Sequence, residues 1–270
     1  MTARPFLKWV GGKTRLLEQI RAVAPRQYGR YFEPFVGGGA VFFDLAPDRA
    51  VLNDANLDLI ATYSVVADNV EHLIDLLVKY QVGHSETQYY GTRTLFNEDT
   101  VEHVMSPVQR AAAFIYLNKT CFNGLWRVNK DGDFNVPMGK YKNPKICDVE
   151  NLRAVSQALR RVTFRAGDFN EAVMDAGRGD FVYFDPPYHD TFTSYTAGSF
   201  DENAQAALAL CAHNLAARGV HVVLSNNDTP LIRKLYAGFH ITEVQCTRAV
   251  NSDGAGRGAV TELLISRVWR

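Results

Sequence analysis

Residues 30–39 read Arg30-Tyr31-Phe32-Glu33-Pro34-Phe35-Val36-Gly37-Gly38-Gly39, and the apolar segment Ala40-Val41-Phe42-Phe43-Asp44-Leu45 follows them. The residues up to Val36 are typical of a buried strand, and the apolar segment has the length of a short helix. Three glycines join the two, and residues without a Cβ let the backbone turn sharply and approach a ligand closely. The sequence therefore predicts a strand, a glycine turn and a helix at the start of an α/β sheet.

The same alternation of strands and helices continues on both sides of a long insertion. A second strand is predicted over 49–54, with an amphipathic helix from 56 to about 66. After the insertion, strands are predicted over 162–166, 180–185, 220–225, 239–247 and 260–268, and helices over 149–160, 201–217 and 230–236. We therefore expect one open sheet in two pieces, 1–57 and 148–270, with a mobile glycine-rich link at 252–258.

The insertion, residues 58–147, has a different pattern. Helices are predicted near 70–80, 86–97 and 107–119, without clear strands between them, and a polar Gly- and Asn-rich stretch follows at 123–145. This pattern is typical of an inserted, mostly helical domain.

Composition excludes several classes of protein. The chain has 270 residues, of which 47% are hydrophobic and 21% charged, so it is neither disordered, collagenous nor coiled-coil. No run reaches the roughly 18 apolar residues of a membrane span, and the start of the chain has no signal-peptide stretch, so we expect a cytoplasmic protein without a membrane partner. The four cysteines are far apart, which predicts reduced thiols and neither a metal site nor a disulfide framework.

A formal net charge of zero hides local segregation. Residues 1–30 have six more bases than acids, residues 44–75 have six more acids than bases, and residues 119–145 have four more bases than acids. The last stretch also carries four aromatic residues, Phe122, Trp126, Phe134 and Tyr141. Basic groups beside aromatics suit phosphates and bases, although charge alone leaves a solvated surface hairpin as an equal alternative.

The glycine turn and Asp54 together indicate a nucleoside cofactor. Gly37-Gly38-Gly39 lacks the spaced glycines of a dinucleotide fingerprint, so a dehydrogenase is excluded. Asp54 ends the next strand, where a carboxylate is able to bind ribose hydroxyls or, alternatively, to cap the following helix. Gly11-Gly12-Lys13-Thr14 has Leu7 where a P-loop needs its first glycine, so we expect Lys13 to face a carboxylate or another anionic group instead.

Asp185-Pro186-Pro187-Tyr188 is the strongest motif in the chain. It directly follows the apolar run Phe181-Val182-Tyr183-Phe184, which places it at the carboxyl end of a buried strand, where open sheets bind ligands. The carboxylate and the Pro186 carbonyl are two acceptors beside an aromatic ring. This set fits the amino group of a planar base better than it fits a plain turn.

These motifs together resemble the alpha-group, Dam-type DNA adenine-N6 methyltransferases. The resemblance covers nearly the whole chain and runs in order through Phe6-Leu7-Lys8-Trp9-Val10-Gly11-Gly12-Lys13, the segment from Glu33 to Gly39, an insertion, and Asp185-Pro186-Pro187-Tyr188. Within the insertion, residues 118–129 and 134–142 are similar to that family's target-recognition hairpin. The resemblance implies an α/β fold: a Rossmann-like S-adenosylmethionine-dependent methyltransferase sheet, with an inserted and mostly helical target-recognition domain (58–147) that contains the hairpin.

The resemblance also implies where the cofactor lies. S-adenosylmethionine would cross the glycine turn, with Trp9 beside it, Lys13 near its methionine carboxylate and Asp54 on its ribose. Asp168 and Phe169 would flank its adenine. The implied cofactor-binding residues are Trp9, Lys13, Glu33, Pro34, Phe35, Gly37, Gly39, Asp54, Asp168, Phe169 and Asp185.

The implied reaction is in-line attack of an adenine N6 on the sulfonium methyl carbon, without a metal. The base must first leave the duplex, because a stacked base cannot reach a buried methyl donor. The implied catalytic residues are Asp185 and Pro186, which accept the two amino hydrogens, and Tyr188, which stacks on the flipped adenine. No activated His or Cys is required, since positioning and electrostatic alignment supply much of the acceleration.

For sequence recognition, the resemblance implies the target GATC in duplex DNA. Arg127 would bind a guanine, Leu125 and Pro137 would contact the thymine methyl, and Phe122 would wedge into the base stack. The sequence departs from the family at Phe122, where many members have Tyr, and Trp126 follows Leu125 at a variable position. The implied DNA-binding residues are Lys8, Phe122, Asn123, Leu125, Arg127, Asn135, Pro137, Tyr141 and Lys142.

Three alternatives remain open from the residues: a cytosine-N4 methyltransferase, an RNA adenine methyltransferase, and a DNA-binding protein without catalysis. The last leaves Asp185-Pro186-Pro187-Tyr188 without a role. We further expect a monomer that associates with the nucleoid through DNA, and a cognate restriction endonuclease is a candidate partner.

Overall fold

One mixed sheet organises the chain. The computed structural model describes residues 2–102, 104–190, 200–247 and 259–269. Within them, seven strands form a single sheet: β1 (Tyr31–Glu33), β2 (Ala50–Asp54), β3 (Val162–Ala166), β4 (Phe181–Phe184), β5 (His221–Asn227), β6 (His240–Thr247) and β7 (Ala259–Arg267). Their order across the sheet is β3-β2-β1-β4-β5-β7-β6. The first five strands are parallel, whereas β7 runs antiparallel between β5 and β6.

Ten α-helices occur in the described residues: α1 (Leu17–Val23), α2 (Ala40–Leu45), α3 (Leu57–Asp68), α4 (Val70–Val82), α5 (Glu86–Glu102), α6 (Pro107–Thr120), α7 (Val149–Leu159), α8 (Phe169–Ala172), α9 (Glu202–Ala217) and α10 (Pro230–Leu235). Several begin at capping side chains that satisfy free backbone N–H groups. Asn56 caps α3, Asp201 caps α9, and Ser106 with Gln109 forms a capping box at α6. Short 3-10 turns span Lys13–Arg15 and Phe122–Gly124.

The α/β fold class predicted from the sequence is confirmed, with small shifts at the ends of elements. The first strand is shorter than the predicted 30–36, since pairing of β1 with β2 ends at Glu33 and the chain turns at Pro34, which has no N–H to donate. The helices α1 and α8 were not predicted. They are only seven and four residues long, so they give almost no periodicity. The predicted mobile link at 252–258 lies outside the described residues.

Helix α3 connects the sheet to the inserted helices. Its Tyr63 packs against Phe6 at 5.0 Å and against Phe164 of β3 at 6.3 Å, measured between ring centroids. The same helix also contacts α6 and α7, and one continuous apolar core joins the sheet to the insertion. The predicted insertion at 58–147 is mostly helical, as expected, while its separation from the sheet as a domain stays a prediction.

The described part of the chain has no helix long and apolar enough to cross a membrane. Cys121, Cys147 and Cys211 are free thiols. Burial raises the pKa of Cys121 to about 12 and that of Cys211 to about 11, so both stay protonated and unreactive near neutral pH.

Candidate active site

Three strands deliver the predicted site to one edge of the sheet. The glycine turn follows β1, Asp54 ends β2, and Asp185 follows β4. The strand order reverses between β1 and β4, which are neighbours. In open α/β sheets this reversal point, at the carboxyl ends of the strands, is where ligands bind.

The glycine turn is held from three sides. Gly37 and Gly39 have φ angles of 47° and 69°, a conformation that residues with a Cβ rarely adopt. The Gly37 N–H donates to Asp54 Oδ2 at 3.0 Å, and the Tyr63 hydroxyl donates to the Gly37 carbonyl at 3.1 Å. A Cβ on Gly37 would lie 2.6 Å from Cδ1 of Trp9, so the indole packs directly on the turn.

Asp54 braces the glycine turn instead of capping helix α3. The cap of α3 is Asn56, whose side-chain oxygen accepts from the Leu59 N–H at 3.0 Å. The other oxygen of Asp54 accepts from the Asn56 N–H at 3.0 Å. Burial raises the pKa of Asp54, and its backbone donors act against that rise. This decides against the helix-cap alternative and leaves a half-buried carboxylate at the edge of the site.

Glu33 is a buried carboxyl group at the end of β1, with a relative exposure of 3%. The Tyr31 hydroxyl donates to Glu33 Oε2 at 2.9 Å. Burial raises the pKa of Glu33 to about 8, and the Asp185 charge adds to the rise. A cationic ligand placed here would favour the ionised form.

An aromatic cluster lies on the other side of the glycine turn. Phe35 stacks on Phe169 with centroids 5.5 Å apart, and Phe200 meets the edge of Phe35 at 5.7 Å. Asp168 caps α8, beside Phe169. The Asn53 amide donates both to the Pro34 carbonyl at 2.9 Å and to the Gly167 carbonyl at 3.1 Å. Asn53 therefore links the turn after β1 to the turn after β3.

The reactive segment, Asp185-Pro186-Pro187-Tyr188, lies beside Lys13. Lys13 Nζ is 2.7 Å from Asp185 Oδ1, donates to the Gly11 carbonyl at 2.6 Å, and lies 4.8 Å from the centroid of the Tyr188 ring. Lys13 thus lies beside a carboxylate of the protein, and its predicted place near the methionine carboxylate of the cofactor stays a prediction. The Tyr188 hydroxyl donates to Glu262 Oε2 on β7 at 2.8 Å.

Burial and nearby charges shift the pKa values of the Asp185 carboxyl and the Tyr188 phenol. Burial raises the pKa of Asp185 and the Glu262 charge raises it further, whereas the Lys13 ammonium lowers it. Burial also holds the pKa of the Tyr188 phenol well above its usual value, so this group stays neutral and donates to Glu262. The Lys13 ammonium therefore favours the ionised form of Asp185 against the effect of burial.

The residues predicted to form a recognition hairpin make a compact loop with two isolated antiparallel bridges, Cys121 to Met138 and Val128 to Phe134, and their role in recognition stays a prediction. Arg127 and Asn135 face each other across it. Arg127 Nε donates to Asn135 Oδ1 at 2.7 Å, and the Asn135 N–H donates to the Arg127 carbonyl at 3.2 Å.

Lys8 joins the hairpin to the start of the chain. Asn118 binds both the N–H and the carbonyl of Lys8, at 2.8 and 2.7 Å. Lys8 Nζ lies 3.6 Å from the centroid of the Tyr141 ring. The other predicted DNA-binding residues lie at the surface of the hairpin: Phe122, Asn123, Pro137 and Lys142 are exposed, and Leu125 is half-buried.

Two aromatics of the basic stretch point inward. Trp126 stacks on Phe134 at 4.5 Å and packs on Phe114 of α6 at 3.9 Å, and Phe134 is only 1% exposed. These two of the four aromatics of 119–145 are therefore packed against the rest of the protein. They anchor the hairpin to the helical insertion, while Phe122 remains 49% exposed.

Sequence reasoning missed several residues that support the site. Tyr63, Gln205 and Glu262 each contact the turn or the reactive segment from a distant part of the chain. Asn226 was detectable, because it follows the apolar part of β5 at the same carboxyl edge as Asp185.

Comparison with known proteins agrees with this geometry. Residues 9–250 match the family described as D12 class N6 adenine-specific DNA methyltransferase. The chain is 44% identical to the Type II methyltransferase M1.LlaDCHI of Lactococcus lactis subsp. cremoris, covering 97% of this chain and 95% of that protein. It is 41% identical to the Type II methyltransferase M.MjaIII of Methanocaldococcus jannaschii, with coverages of 98% and 99%. It is 37% identical to the DNA adenine methylase of Vibrio cholerae, with coverages of 97% and 95%.

These matches favour adenine in DNA over the cytosine-N4, RNA and non-catalytic alternatives. They also confirm S-adenosylmethionine as the cofactor of this chain. The residues at the carboxyl edge of the sheet and the sequence as a whole thus lead to one assignment. The chain belongs to the D12 class of N6 adenine-specific DNA methyltransferases and is a site-specific DNA adenine methyltransferase.

Proposed function

We propose that the protein methylates N6 of the adenine in GATC sequences of duplex DNA. The observation that carries the proposal is the Arg127–Asn135 pair on the hairpin. Asn135 Oδ1 accepts from Nε of Arg127 at 2.7 Å, which restrains the plane of the guanidinium and leaves its two terminal nitrogens to bind a base. Those nitrogens match O6 and N7 of a guanine in the major groove, the commonest specific contact to a base pair.

The rest of the hairpin suits the same target. Leu125 and Pro137 offer apolar contact for a thymine methyl, and exposed Phe122 suits insertion beside the target base. Asn123 has a positive φ of 53°, which turns the chain sharply between these groups. Lys8, Tyr141 and Lys142 supply charge and an aromatic face for the DNA backbone.

The residues around the glycine turn fit S-adenosylmethionine chemically. A positively charged sulfonium nucleoside suits a site with the carboxyl groups Glu33, Asp54 and Asp185, because a cation placed beside them favours their ionised forms. Phe35 and Phe169 provide flat apolar faces for an adenine. We assign the cofactor site to Trp9, Lys13, Glu33, Pro34, Phe35, Gly37, Gly39, Asp54, Asp168, Phe169 and Asp185.

The reactive segment then acts on the target base. The bound cofactor supplies an electrophilic methyl group. Asp185 and the Pro186 carbonyl accept the two hydrogens of the adenine amino group, which turns its nitrogen lone pair toward that methyl carbon. Tyr188 stacks on the extrahelical adenine, while its hydroxyl stays bound to Glu262. An ionised carboxylate has about four acceptor sites, so Asp185 is able to accept from the base while Lys13 Nζ stays 2.7 Å from its Oδ1.

The two parts of the chain have different roles in this reaction. We assign sheet and insertion to separate roles, with 1–57 and 148–270 catalysing transfer and 58–147 recognising the target. We propose that the protein acts as a monomer in the cytoplasm, on nucleoid DNA. Two of the relatives are named Type II methyltransferases, which supports a cognate restriction endonuclease as a partner.

The experiment that tests the proposal is transfer of labelled methyl from S-adenosylmethionine to two matched duplexes, one with GATC and one with that site scrambled. Digestion of the products identifies the modified nucleoside. We expect N6-methyladenine only in the GATC duplex. Equal label in both duplexes would remove the GATC assignment and keep the chemistry, whereas label on cytosine would contradict the proposed base.

A further inference from the structure

The backbone of the reactive segment is held by few bonds of its own. Pairing of β4 with β5 ends at Phe184, one residue before Asp185. The two prolines that follow have no N–H, so the segment has lost two of its backbone donors. Something outside the segment must therefore fix the direction of the carbonyls that face the base.

Two fully buried amide side chains supply that support. Gln205 on α9 donates from Nε2 to the Pro187 carbonyl at 2.9 Å. Asn226 on β5 donates from Nδ2 to Gln205 Oε1 at 3.0 Å, and its own oxygen accepts from the His189 N–H at 3.0 Å. Both side chains have 0% exposure. These hydrogen bonds therefore hold the main chain at Pro187, inside the reactive segment, and at His189, directly after it.

The hydrogen bond from Gln205 to Pro187 also constrains the direction of the Pro186 carbonyl. The Pro187 ring fixes φ near −65°, so the peptide plane before Pro187 and the plane after it are coupled through one free torsion, ψ. The bond from Gln205 to the Pro187 carbonyl sets that torsion. Fixing the second plane thereby fixes the first plane, which carries the Pro186 carbonyl.

We propose that Gln205 and Asn226 are positioning residues for methyl transfer, which orient the Pro186 carbonyl toward the target amino group through the main chain of Pro187. The inference rests on the role given to Pro186 under the proposed function. Neither side chain touches the base or the cofactor in this account. The buried amides are costly to leave unpaired, so they keep one arrangement of the segment and disfavour others.

The competing explanation is that the Gln205–Asn226 bond only fastens helix α9 to the sheet. Gln205 lies on the buried face of α9, beside Leu208, Ala209 and Ala212. A fastening role predicts lost stability without a specific loss of rate. A positioning role predicts that removing the Gln205 bond lowers the methylation rate more than removing a similar bond elsewhere in the protein.

The chain offers a matched control for that comparison in Gln81 on α4. Its amide likewise donates to a proline carbonyl in a loop, that of Pro144 at 3.0 Å, and its oxygen accepts from the Ile146 N–H at 2.7 Å. Gln81 lies away from the reactive segment. The substitutions Gln205→Leu and Gln81→Leu therefore remove bonds of the same kind, the first from a fully buried side chain beside the reactive segment and the second from a half-buried side chain on α4.

The test is the single-turnover rate of adenine methylation on a long, unmethylated duplex that contains every short sequence, with cofactor saturating. For Gln205→Leu we expect a rate about 10- to 100-fold below wild type, the cost of a misplacement of about 1 Å. Dissociation constants for cofactor and DNA should change less than about twofold. Gln81→Leu should melt at a lower temperature and keep its rate within about twofold.

A second variant keeps the proposal testable if Gln205→Leu does not fold. In Gln205→Glu the carboxylate still accepts from Asn226 but cannot donate to Pro187. The protonated carboxyl, favoured by burial at lower pH, is able to donate there. The rate relative to wild type should therefore be higher at pH 6 than at pH 8.

Three results would overturn the positioning role: a Gln205→Leu rate within twofold of wild type, an equal loss in Gln81→Leu, or a Gln205→Glu rate ratio that does not depend on pH. The wild-type protein in the same assay separates the two proposals. Wild-type methylation outside GATC contradicts only the GATC assignment, whereas an active wild type with an undiminished Gln205→Leu variant contradicts only the positioning role.

Discussion

Replacing Lys13 by Met should move the acid limb of the pH–rate profile to higher pH. In the proposed reaction the ionised Asp185 accepts from the adenine amino group, and Lys13 Nζ lies 2.7 Å from its Oδ1. The ammonium lowers the pKa of Asp185 against the effect of burial. Without it, the pKa of Asp185 in the folded protein rises, so the carboxylate is lost at a higher pH than in wild type.

The loss of rate depends on how strongly the ion pair is screened. The side chains of Lys13 and Asp185 are 8% and 18% exposed, so solvent screens their interaction only weakly. A hydrogen bond to a charged group is worth about 1.5 to 3 kcal/mol, and about 1.4 kcal/mol corresponds to a factor of ten. On the acid limb, the variant should therefore react about 10- to 100-fold more slowly than wild type.

The assay is single-turnover methylation between pH 5 and pH 9 with cofactor saturating, so that weaker cofactor binding does not enter the rate. Arg15→Met is the matched control, because it removes an exposed cation from the same 3-10 turn. Glu262→Gln should shift the limb in the opposite direction, since the Glu262 charge raises the pKa of Asp185. An acid limb that stays in place in Lys13→Met, or moves to lower pH, would refute the reasoning.

Three further predictions follow from the site. Gly37→Ala places a Cβ 2.6 Å from Trp9 at a φ of 47°, so S-adenosylmethionine should bind about tenfold more weakly or worse in calorimetry. Gly179→Ala, at a φ of 81° with open space around it, should lower only the melting temperature. Arg127→Ala should lose about 1 to 3 kcal/mol of discrimination at one guanine in competition assays, and an equal loss on all sequences would make it a phosphate contact. Phe122→Ala should reduce the fluorescence rise of 2-aminopurine at the target position, and an unchanged rise would remove its role in flipping.

The sequence allowed the sheet and the edge that carries the site to be predicted, because strand ends are visible locally. Asp54 and Asp185 each follow an apolar run, and the carboxyl ends of parallel strands meet at one edge. Contacts between residues far apart in the sequence could not be predicted in this way. Glu262 reaches Tyr188 from the antiparallel strand β7, and nothing in the residues around Glu262 indicates that contact.

The sequence also did not show which aromatic side chains of the hairpin are buried. Trp126 and Phe122 both lie in a basic stretch, yet one is packed on Phe114 and the other is 49% exposed. The loop has only two isolated bridges, so no strand periodicity tells which side chains face inward. Burial there depends on helix α6, which packs beneath the loop.

Strands β1 and β4 are neighbours in the sheet, which bears on how relatives come to recognise different DNA sequences. The two strands pair through the main chain about 4.8 Å apart, so the glycine turn after β1 and the Asp185 segment after β4 start from adjacent positions in the sheet. Residues 122–142, all of which the structure describes, contribute no strand to this sheet. If they read the target as proposed, exchanging them between relatives should change the target sequence and leave methyl transfer intact.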